Sequence, residues 1–169
     1  MRIYTDVLPQ QLLLDCNTQL KSMLRERVWV SSTFHWKGVN NSACGDVLTA
    51  FVPQNLVTQL DSILRKTYFL SHIREITYQF YAWNKLSNID VHDDRIYSFA
   101  ATIYLSSMKP NYGGFFIWKD KEEKTDYTFK AICPKQNMML VNDTAEPHAV
   151  TLVSPYVTNS RFSIQIWGR

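Results

Sequence analysis

The hydrophobic periodicity of this 169-residue chain changes near residue 74, and that change limits the folds available to it. Before this point apolar residues recur every three or four positions, which is the spacing of one face of an amphipathic helix. A first helix is predicted over 9–28, with a buried face made of Leu12, Cys16, Leu20, Met23, Leu24 and Val28. A second is predicted over 53–66, with a buried face made of Leu56, Leu60, Ile63 and Leu64.

After residue 74 the apolar residues follow a period of two, which is typical of β-strands. In the first such segment one face is formed by Ile76, Tyr78, Phe80 and Ala82. Further strands are predicted at 97–105, 115–118, 127–133, 138–141, 149–153 and 161–167. Turn-forming residues separate these segments. The highly charged segment 119–126 is predicted to be a solvent-facing hairpin tip.

Two helices followed by many short strands predict a mainly β fold with flanking helices, an α+β arrangement in which antiparallel sheets form a sandwich or barrel. We expect a single domain over 1–169, with helical support from 1–70 packed on one sheet and a β core over 74–167. Folds of this kind hold small molecules in the barrel mouth or between the sheets. The functional site is therefore expected between the strands.

Charge and cysteine content exclude several classes of protein. Lysine and arginine exceed aspartate and glutamate by 18 − 15 = 3, and the basic residues are scattered, so no dedicated nucleic-acid binding is expected. Three cysteines (Cys16, Cys44 and Cys133) form neither a disulfide framework nor a Cys-x-x-Cys metal motif. Neither a secretory signal nor a segment as long as a membrane span is recognisable. We therefore expect a cytoplasmic protein that does not associate with a membrane.

The triplet His92-Asp93-Asp94 is the first candidate for chemistry. In a strand, residues i and i+2 point to the same face, so His92 and Asp94 could bind one metal ion. Such a triplet is common by chance and is weak by itself. The adjacent His92-Asp93 pair would also fit an HD-type metal-dependent phosphohydrolase, but that family is all-helical, whereas this pair is flanked by predicted strands.

His148 could supply a third metal ligand, although a single histidine at the start of an apolar strand is more often structural. Two histidines and one carboxylate leave three coordination positions open, which is the arrangement of non-haem Fe(II) oxygenases. A structural zinc site would be closed and usually rich in thiolates. The ligand set therefore favours a catalytic iron site.

The last predicted strand carries polar residues on one face, namely Arg161, Ser163, Gln165 and Trp167. An arginine that faces the core is unfavourable unless an anion pairs with it, and its planar guanidinium matches a carboxylate. The alternative is an arginine on the outer face of an edge strand.

The order and spacing of these residues resemble the Fe(II)/2-oxoglutarate dioxygenases, and more narrowly their prolyl 4-hydroxylase-like branch. The resemblance covers roughly half of the chain, from about 81 to 167. Its motifs are His92-x-Asp94, Tyr104-Leu105 with Gly113-Gly114, Ile132-Cys133-Pro134, Leu140-Val141, His148, and Arg161 with Ser163. The chain departs from the pattern at Asn137, where the family often has glycine, and turn chemistry explains that exchange.

The resemblance implies a double-stranded β-helix, or jelly-roll, in which His92, Asp94 and His148 bind Fe(II). It implies that Arg161 holds the distal carboxylate of 2-oxoglutarate and that O2 is the other cosubstrate; ascorbate is a further suggested cofactor. Supporting residues in that pocket would be the hydroxyl of Ser163, the phenols of Tyr104 and Tyr81, and the aromatic wall of Trp167.

The implied reaction is hydroxylation of a C–H bond, with succinate and CO2 as co-products. We expect the substrate to be a prolyl residue in a peptide or protein, with a free amino acid or other small metabolite as the alternative. A catalytically inactive binding protein on the same barrel is the alternative from a different class. Loops 40–46, 84–91 and 106–112 are expected to select the substrate, and the sequence does not determine the oligomeric state.

Overall fold

A computed structural model describes residues 1–31, 45, 47–67, 73–119, 128–142 and 144–169. Its described part contains two helices, α1 (Gln10–Glu26) and α2 (Gln54–Thr67), and a short 3-10 helix (Pro110–Tyr112). The strands are β1 (Arg2–Tyr4), β2 (Val30–Ser31), β3 (Val47–Phe51), β4 (Ile76–Trp83), β5 (Ile89–His92), β6 (Phe99–Tyr104), β7 (Phe116–Lys119), β8 (Phe129–Ile132), β9 (Met139–Asn142), β10 (His148–Val150) and β11 (Arg161–Gly168).

Both predicted helices are present. The first ends where Arg27 adopts a left-handed conformation (φ 56°) and its backbone N–H donates to the carbonyl of Met23. The second carries its buried leucines at 56, 60 and 64, the predicted spacing. No helix in the described ranges is long and apolar enough to cross a membrane.

The strands form two antiparallel sheets. Among the described residues, the larger sheet has seven strands in the order β1-β9-β6-β11-β4-β3-β2, and the smaller has four in the order β5-β10-β7-β8. Strand β11 is central, because it pairs with β4 over its whole length and with β6 from Ser163 to Gly168. A mainly antiparallel β architecture with two helices is thus confirmed, and it is that of a jelly-roll.

Four strands were not predicted from the sequence. Three of them, β1, β2 and β3, lie in the segment expected to be only helical, and β5 lies in the expected loop 84–91. They are two to five residues long and gain their hydrogen bonds from distant strands: β1 pairs with β9 and β3 pairs with β4. Local periodicity cannot identify segments this short. Strand β10 is also shorter than predicted.

Alternation along the central strands divides the buried residues into two clusters. One face of the large sheet contributes Tyr78, Phe80, Ala101, Ile103, Ile164 and Ile166 to a cluster that also contains the buried residues of α1 and α2. The opposite face contributes Tyr81, Trp83, Ala100, Tyr104 and Trp167 to a second cluster, together with Phe116 and Val150 of the small sheet. The space between the sheets is therefore lined by aromatic residues.

Asn137 has a positive φ of 60°, the conformation in which asparagine commonly replaces glycine. Its side chain accepts a hydrogen bond from the backbone N–H of Leu8 and donates one to the carbonyl of Leu8, both at 2.8 Å. The turn chemistry expected at this departure from the family pattern is therefore present.

Some sequence predictions fall outside the described residues. These include the hairpin tip 119–126 except Lys119, the substrate loop 40–46 except Gly45, and Cys44. The flanking strands β7 and β8 do pair as an antiparallel hairpin.

Replacing Leu60 by alanine tests the cluster shared by the helices and the large sheet. The side chain is fully buried (0% exposed), so Leu60→Ala is expected to lower the free energy of unfolding by about 2–5 kcal/mol in urea titrations. Leu14→Ala in α1 is the matched control, because Leu14 is 54% exposed, and its effect should stay within about 0.5 kcal/mol. Equal losses for the two variants would contradict this assignment of the core.

Candidate metal centre

Strand pairing in the small sheet brings the predicted triad together. His92 ends β5 and His148 begins β10, and their Cα atoms are register partners. Asp94 follows two residues after His92, and one ligand atom from each of the three residues lies within 4.8 Å of the others. Asp94 and His148 are buried, and His92 is half-buried.

The two imidazoles are held in the tautomer that suits a metal ligand. Nδ1 of His92 lies 2.8 Å from the carbonyl oxygen of Asp90, and Nδ1 of His148 lies 2.8 Å from that of Glu146. A carbonyl can only accept, so each Nδ1 carries the proton and donates it. In the neutral imidazole Nε2 then carries the lone pair, as in histidine metal sites.

Asn142 holds the carboxylate of Asp94. Its Nδ2 donates to Oδ2 of Asp94 at 3.1 Å, and both side chains are buried. Burial alone would raise the pKa of Asp94, but the interactions with His148, His92 and Asn142 outweigh it and lower that pKa. Asp94 is therefore an anionic ligand. Sequence reasoning missed Asn142, although the alternation from Met138 through Leu140 places it on the inner face.

The donor set fits a cation at its centre. Burial, and secondarily the charge of His148, lowers the pKa of His92 to about 4, so its imidazole is neutral at pH 7. Oδ2 of Asp94 lies 3.4 Å from Nε2 of His148, so these two ligand atoms face one another. A divalent metal ion would satisfy these atoms together, and two nitrogens with one carboxylate oxygen suit Fe(II) with open positions.

Arg161 is buried (1% exposed) with part of its hydrogen-bonding capacity unused. Its Nη1 donates to the carbonyl of Gly114, whereas Nε and Nη2 have no hydrogen-bond partner among the described residues. The guanidinium carbon lies 4.7 Å from the ring centre of Trp83 and 5.3 Å from that of Tyr104. A buried cation with two free donors fits a carboxylate ligand.

The close approach of Arg161 explains why the second residue of the Gly113-Gly114 motif is glycine. Its φ is +66°, and a Cβ built there would lie 3.0 Å from Nη1 of Arg161. A side chain at this position would strain the backbone and crowd the guanidinium.

Of the remaining predicted site residues, Tyr104 contacts Arg161 directly, whereas Ser163 and Tyr81 contact Trp83. Tyr104 is buried, which raises its pKa to about 12, and it is the register partner of Ser163. Oγ of Ser163 accepts a 2.9 Å hydrogen bond from Nε1 of Trp83. The ring of Tyr81 lies 5.9 Å from that of Trp83 and 6.1 Å from that of Trp167.

A small cavity of about 20 Å³ lies between the sheets at the triad. Its lining comprises Trp83, Ile89, His92, Asp94, Ala100, Ala101, Thr102, Phe116, Asn142, His148, Val150, Gln165 and Trp167. Of the predicted cosubstrate residues only Trp167 is among them; Arg161, Tyr104, Ser163 and Tyr81 are not. Trp83 connects the two groups, because it lines the cavity and contacts Arg161.

Neither a protein-family model nor a curated protein matches this sequence. Solved structures do match. A prolyl-4-hydroxylase of Pseudomonas putida superposes with a TM-score of 0.75 at 16% identity, covering 99% of this chain and 91% of that chain. The chain has the fold of the 2-oxoglutarate/Fe(II) oxygenases.

Two further structures with this oxygenase fold extend the comparison. A prolyl hydroxylase of Trichoplax adhaerens, in complex with a hypoxia inducible factor peptide fragment, superposes with a TM-score of 0.71 at 15% identity and covers 99% of this chain and 82% of that one. HygX of Streptomyces hygroscopicus, with nickel and 2-oxoglutarate bound, superposes with a TM-score of 0.70 at 10% identity. The match covers 98% of this chain and 81% of that one.

Replacing Asn142 by alanine tests its hold on Asp94. Loss of such a supporting hydrogen bond typically weakens metal binding 10–100-fold, and we expect an effect of about that size in Mn(II) titrations followed by electron paramagnetic resonance. Asn55→Ala, at an exposed position on α2, should leave Mn(II) affinity unchanged. An unaltered Mn(II) affinity in Asn142→Ala would show that Asn142 does not support the metal centre.

Proposed function

We propose that this protein is an Fe(II)- and 2-oxoglutarate-dependent dioxygenase that hydroxylates a C–H bond. One observation carries the proposal: the two imidazoles and one carboxylate that converge within 4.8 Å share a cavity wall, Trp83, with a buried arginine that has two unused donors. A metal ion satisfies the first group and a dicarboxylate satisfies the second. The fold shared with 2-oxoglutarate oxygenases supports the same conclusion.

The metal ligands have a defined task in this proposal. His92, Asp94 and His148 would hold the iron through two nitrogens and one oxygen and leave three positions for other ligands. The carbonyls of Asp90 and Glu146 keep the imidazoles oriented, because each accepts the Nδ1 proton. With iron and 2-oxoglutarate bound, O2 would be split between the substrate, which gains a hydroxyl, and succinate, with release of CO2.

Arg161 and its neighbours would hold the other end of 2-oxoglutarate. Its Nε and Nη2 are available for a carboxylate, and the faces of Trp83 and Tyr104 fix the plane of the guanidinium. Ser163 would support this group by holding the indole of Trp83. Tyr81 would support it through its contacts with Trp83 and Trp167.

The walls around the triad would keep water away from the reaction. Phe116 stacks on His148 with ring centres 5.3 Å apart and an interplanar angle of 17°. Ile89, Val150 and Trp167 complete an apolar lining. A dry site strengthens the electrostatic interactions within it and limits side reactions.

For the substrate, we propose a prolyl residue in a peptide or protein. Support comes from two similar structures that are prolyl hydroxylases, one of them in complex with a peptide fragment. A small molecule is the second candidate, favoured by the similar structure of HygX with hygromycin B bound. Use of ascorbate and a cytoplasmic location remain predictions. So does a single domain over 1–169, with helical support from 1–70 packed on one sheet and a β core over 74–167.

Adjacent aspartates offer a matched test of the activity. Asp94→Asn is expected to lower Fe(II)-dependent formation of succinate from 2-oxoglutarate at least 100-fold, because it removes the anionic ligand. Asp93→Asn should retain wild-type turnover, since the Asp93 carboxylate pairs with Arg95 at 2.9 Å outside the metal cluster. A larger loss of activity in Asp93→Asn than in Asp94→Asn would favour a metal site of the HD type.

The wild-type protein supplies the other outcomes of this assay. Failure to bind either Fe(II) or 2-oxoglutarate would refute the enzyme proposal. Binding of both without succinate formation would favour the inactive binding protein. Product analysis with proline-containing peptides against free amino acids, relative to uncoupled turnover, separates the substrate classes.

Replacing Arg161 by methionine tests the cosubstrate pocket. Loss of a charge-assisted pair to a carboxylate should raise the KM for 2-oxoglutarate about 100-fold with a smaller effect on kcat. Arg161→Lys keeps the charge but lacks the planar guanidinium, so its KM for 2-oxoglutarate should lie between those of the wild type and Arg161→Met. Arg95→Met, at an exposed arginine, is the control. An unchanged KM in Arg161→Met would place the cosubstrate elsewhere.

A further inference from the structure

Gln165 is a polar residue on the cavity wall that the proposed chemistry does not yet use. It lies on β11, and the described polar residues that line the same cavity are the three candidate ligands, Asn142 and Thr102. Asn142 is engaged by Asp94. The remaining pair, Thr102 and Gln165, therefore has to be explained.

Thr102 fixes the orientation of the Gln165 amide. The two residues are Cα register partners on β6 and β11, and Oγ1 of Thr102 donates to Oε1 of Gln165 at 2.6 Å. Thr102 is buried and Gln165 is half-buried, so this bond is partly sheltered from solvent. With Oε1 engaged as the acceptor, Nε2 of Gln165 has two N–H donors and makes no hydrogen bond to the described residues.

Position along β11 indicates which end of a ligand these donors would meet. Arg161 and Gln165 share a face and are four residues apart, about 13 Å along a strand. The cavity at the metal ligands is lined by Gln165 and Trp167 but not by Arg161. If Arg161 holds one end of a dicarboxylic acid, Gln165 is among the residues available to the end that lies at the metal ligands.

We propose that Gln165 is a binding residue for the cosubstrate: its Nε2 donates to the carboxylate of 2-oxoglutarate next to the 2-oxo group, and Thr102 is the positioning residue that aims it. This inference rests on the proposed function. The Gln165 amide is therefore a neutral donor, already oriented by Thr102, on the wall of the cavity at the metal ligands. A pre-oriented donor binds better because its rotamer entropy is lost before the ligand arrives.

Binding of 2-oxoglutarate to Mn(II)-loaded protein, measured by calorimetry, tests the inference without turnover. Gln165→Met has a similar shape without the donor and should raise the Kd for 2-oxoglutarate about 10- to 100-fold, because a hydrogen bond to a charged group is lost. Thr102→Val should raise the Kd for 2-oxoglutarate about 3- to 5-fold, because the Gln165 amide can still donate but is no longer held in one orientation. The double variant should match Gln165→Met alone, because both changes act on one contact.

Gln79→Met is the matched control. Gln79 is the register partner of Gln165 on the other side of β11, but it does not line the cavity at the triad. This variant should keep the wild-type Kd for 2-oxoglutarate. Mn(II) affinity should be unchanged in all of these variants, which separates loss of the donor from damage to the metal centre.

A second ligand tests which carboxylate Gln165 contacts. 2-Oxobutanoate shares the 2-oxo acid end of 2-oxoglutarate and lacks the distal carboxylate. Gln165→Met should weaken the binding of both ligands by the same factor, whereas Arg161→Met should weaken only 2-oxoglutarate. A loss confined to 2-oxoglutarate in Gln165→Met would overturn the proposed contact.

The inference and the proposed function fail in different ways. If the wild-type protein binds Mn(II) and 2-oxoglutarate but Gln165→Met and Thr102→Val both bind as Gln79→Met does, Gln165 has no such role and the proposed function stands. If Thr102→Val and Gln165→Met have additive effects, Thr102 does not act through Gln165. If the wild-type protein binds neither Mn(II) nor 2-oxoglutarate, both proposals are wrong.

Discussion

The antiparallel pairing of β5 with β10 is the constraint on which the candidate site depends. It places His92 opposite His148, with ring centres 4.3 Å apart. Asp94, two residues after His92, completes the cluster. The register is not uniform, because Val150 pairs with Ile89 and an irregularity lies between the two pairs. Such irregularities redirect side chains near functional sites. A shift of one residue would turn His148 to the opposite face of the sheet.

Two buried charged side chains, Asp94 and Arg161, lie within this sheet arrangement. Asp94 is a carboxylate held by Asn142, and Arg161 is a guanidinium held by Gly114 and two aromatic faces. Neither has an oppositely charged side chain that satisfies it fully among the described residues. Buried charges without full compensation are unfavourable for folding. Their presence is understandable if ligands complete them, a cation at one and an anion at the other.

Trp83 links these two regions. Its indole lines the cavity at the metal ligands, contacts the guanidinium of Arg161 and donates to Ser163. The central strand β11 supplies Arg161, Ser163, Gln165 and Trp167 on one face, so a single strand sets the spacing between the proposed anion site and the metal ligands. On its other face Ile164 and Ile166 belong to the cluster shared with the helices. Packing of that cluster therefore fixes the strand that carries the binding residues.

The sequence by itself determined the two helices, the long strands and the His92-x-Asp94 pair, because each depends on local spacing: a period of 3.6 for the helices, a period of two for the strands and a two-residue step for the pair. His148 has no such local signal, and the family resemblance identified it as the third candidate ligand. The tertiary structure alone decided the short strands β1, β2, β3 and β5, whose hydrogen bonds come from distant segments. It also decided which partners Asn142, Trp83, Thr102 and Gln165 contact. The sequence placed Gln165 on the polar face of the last strand, but all four residues gain these partners only when strands far apart in the chain pair in one register.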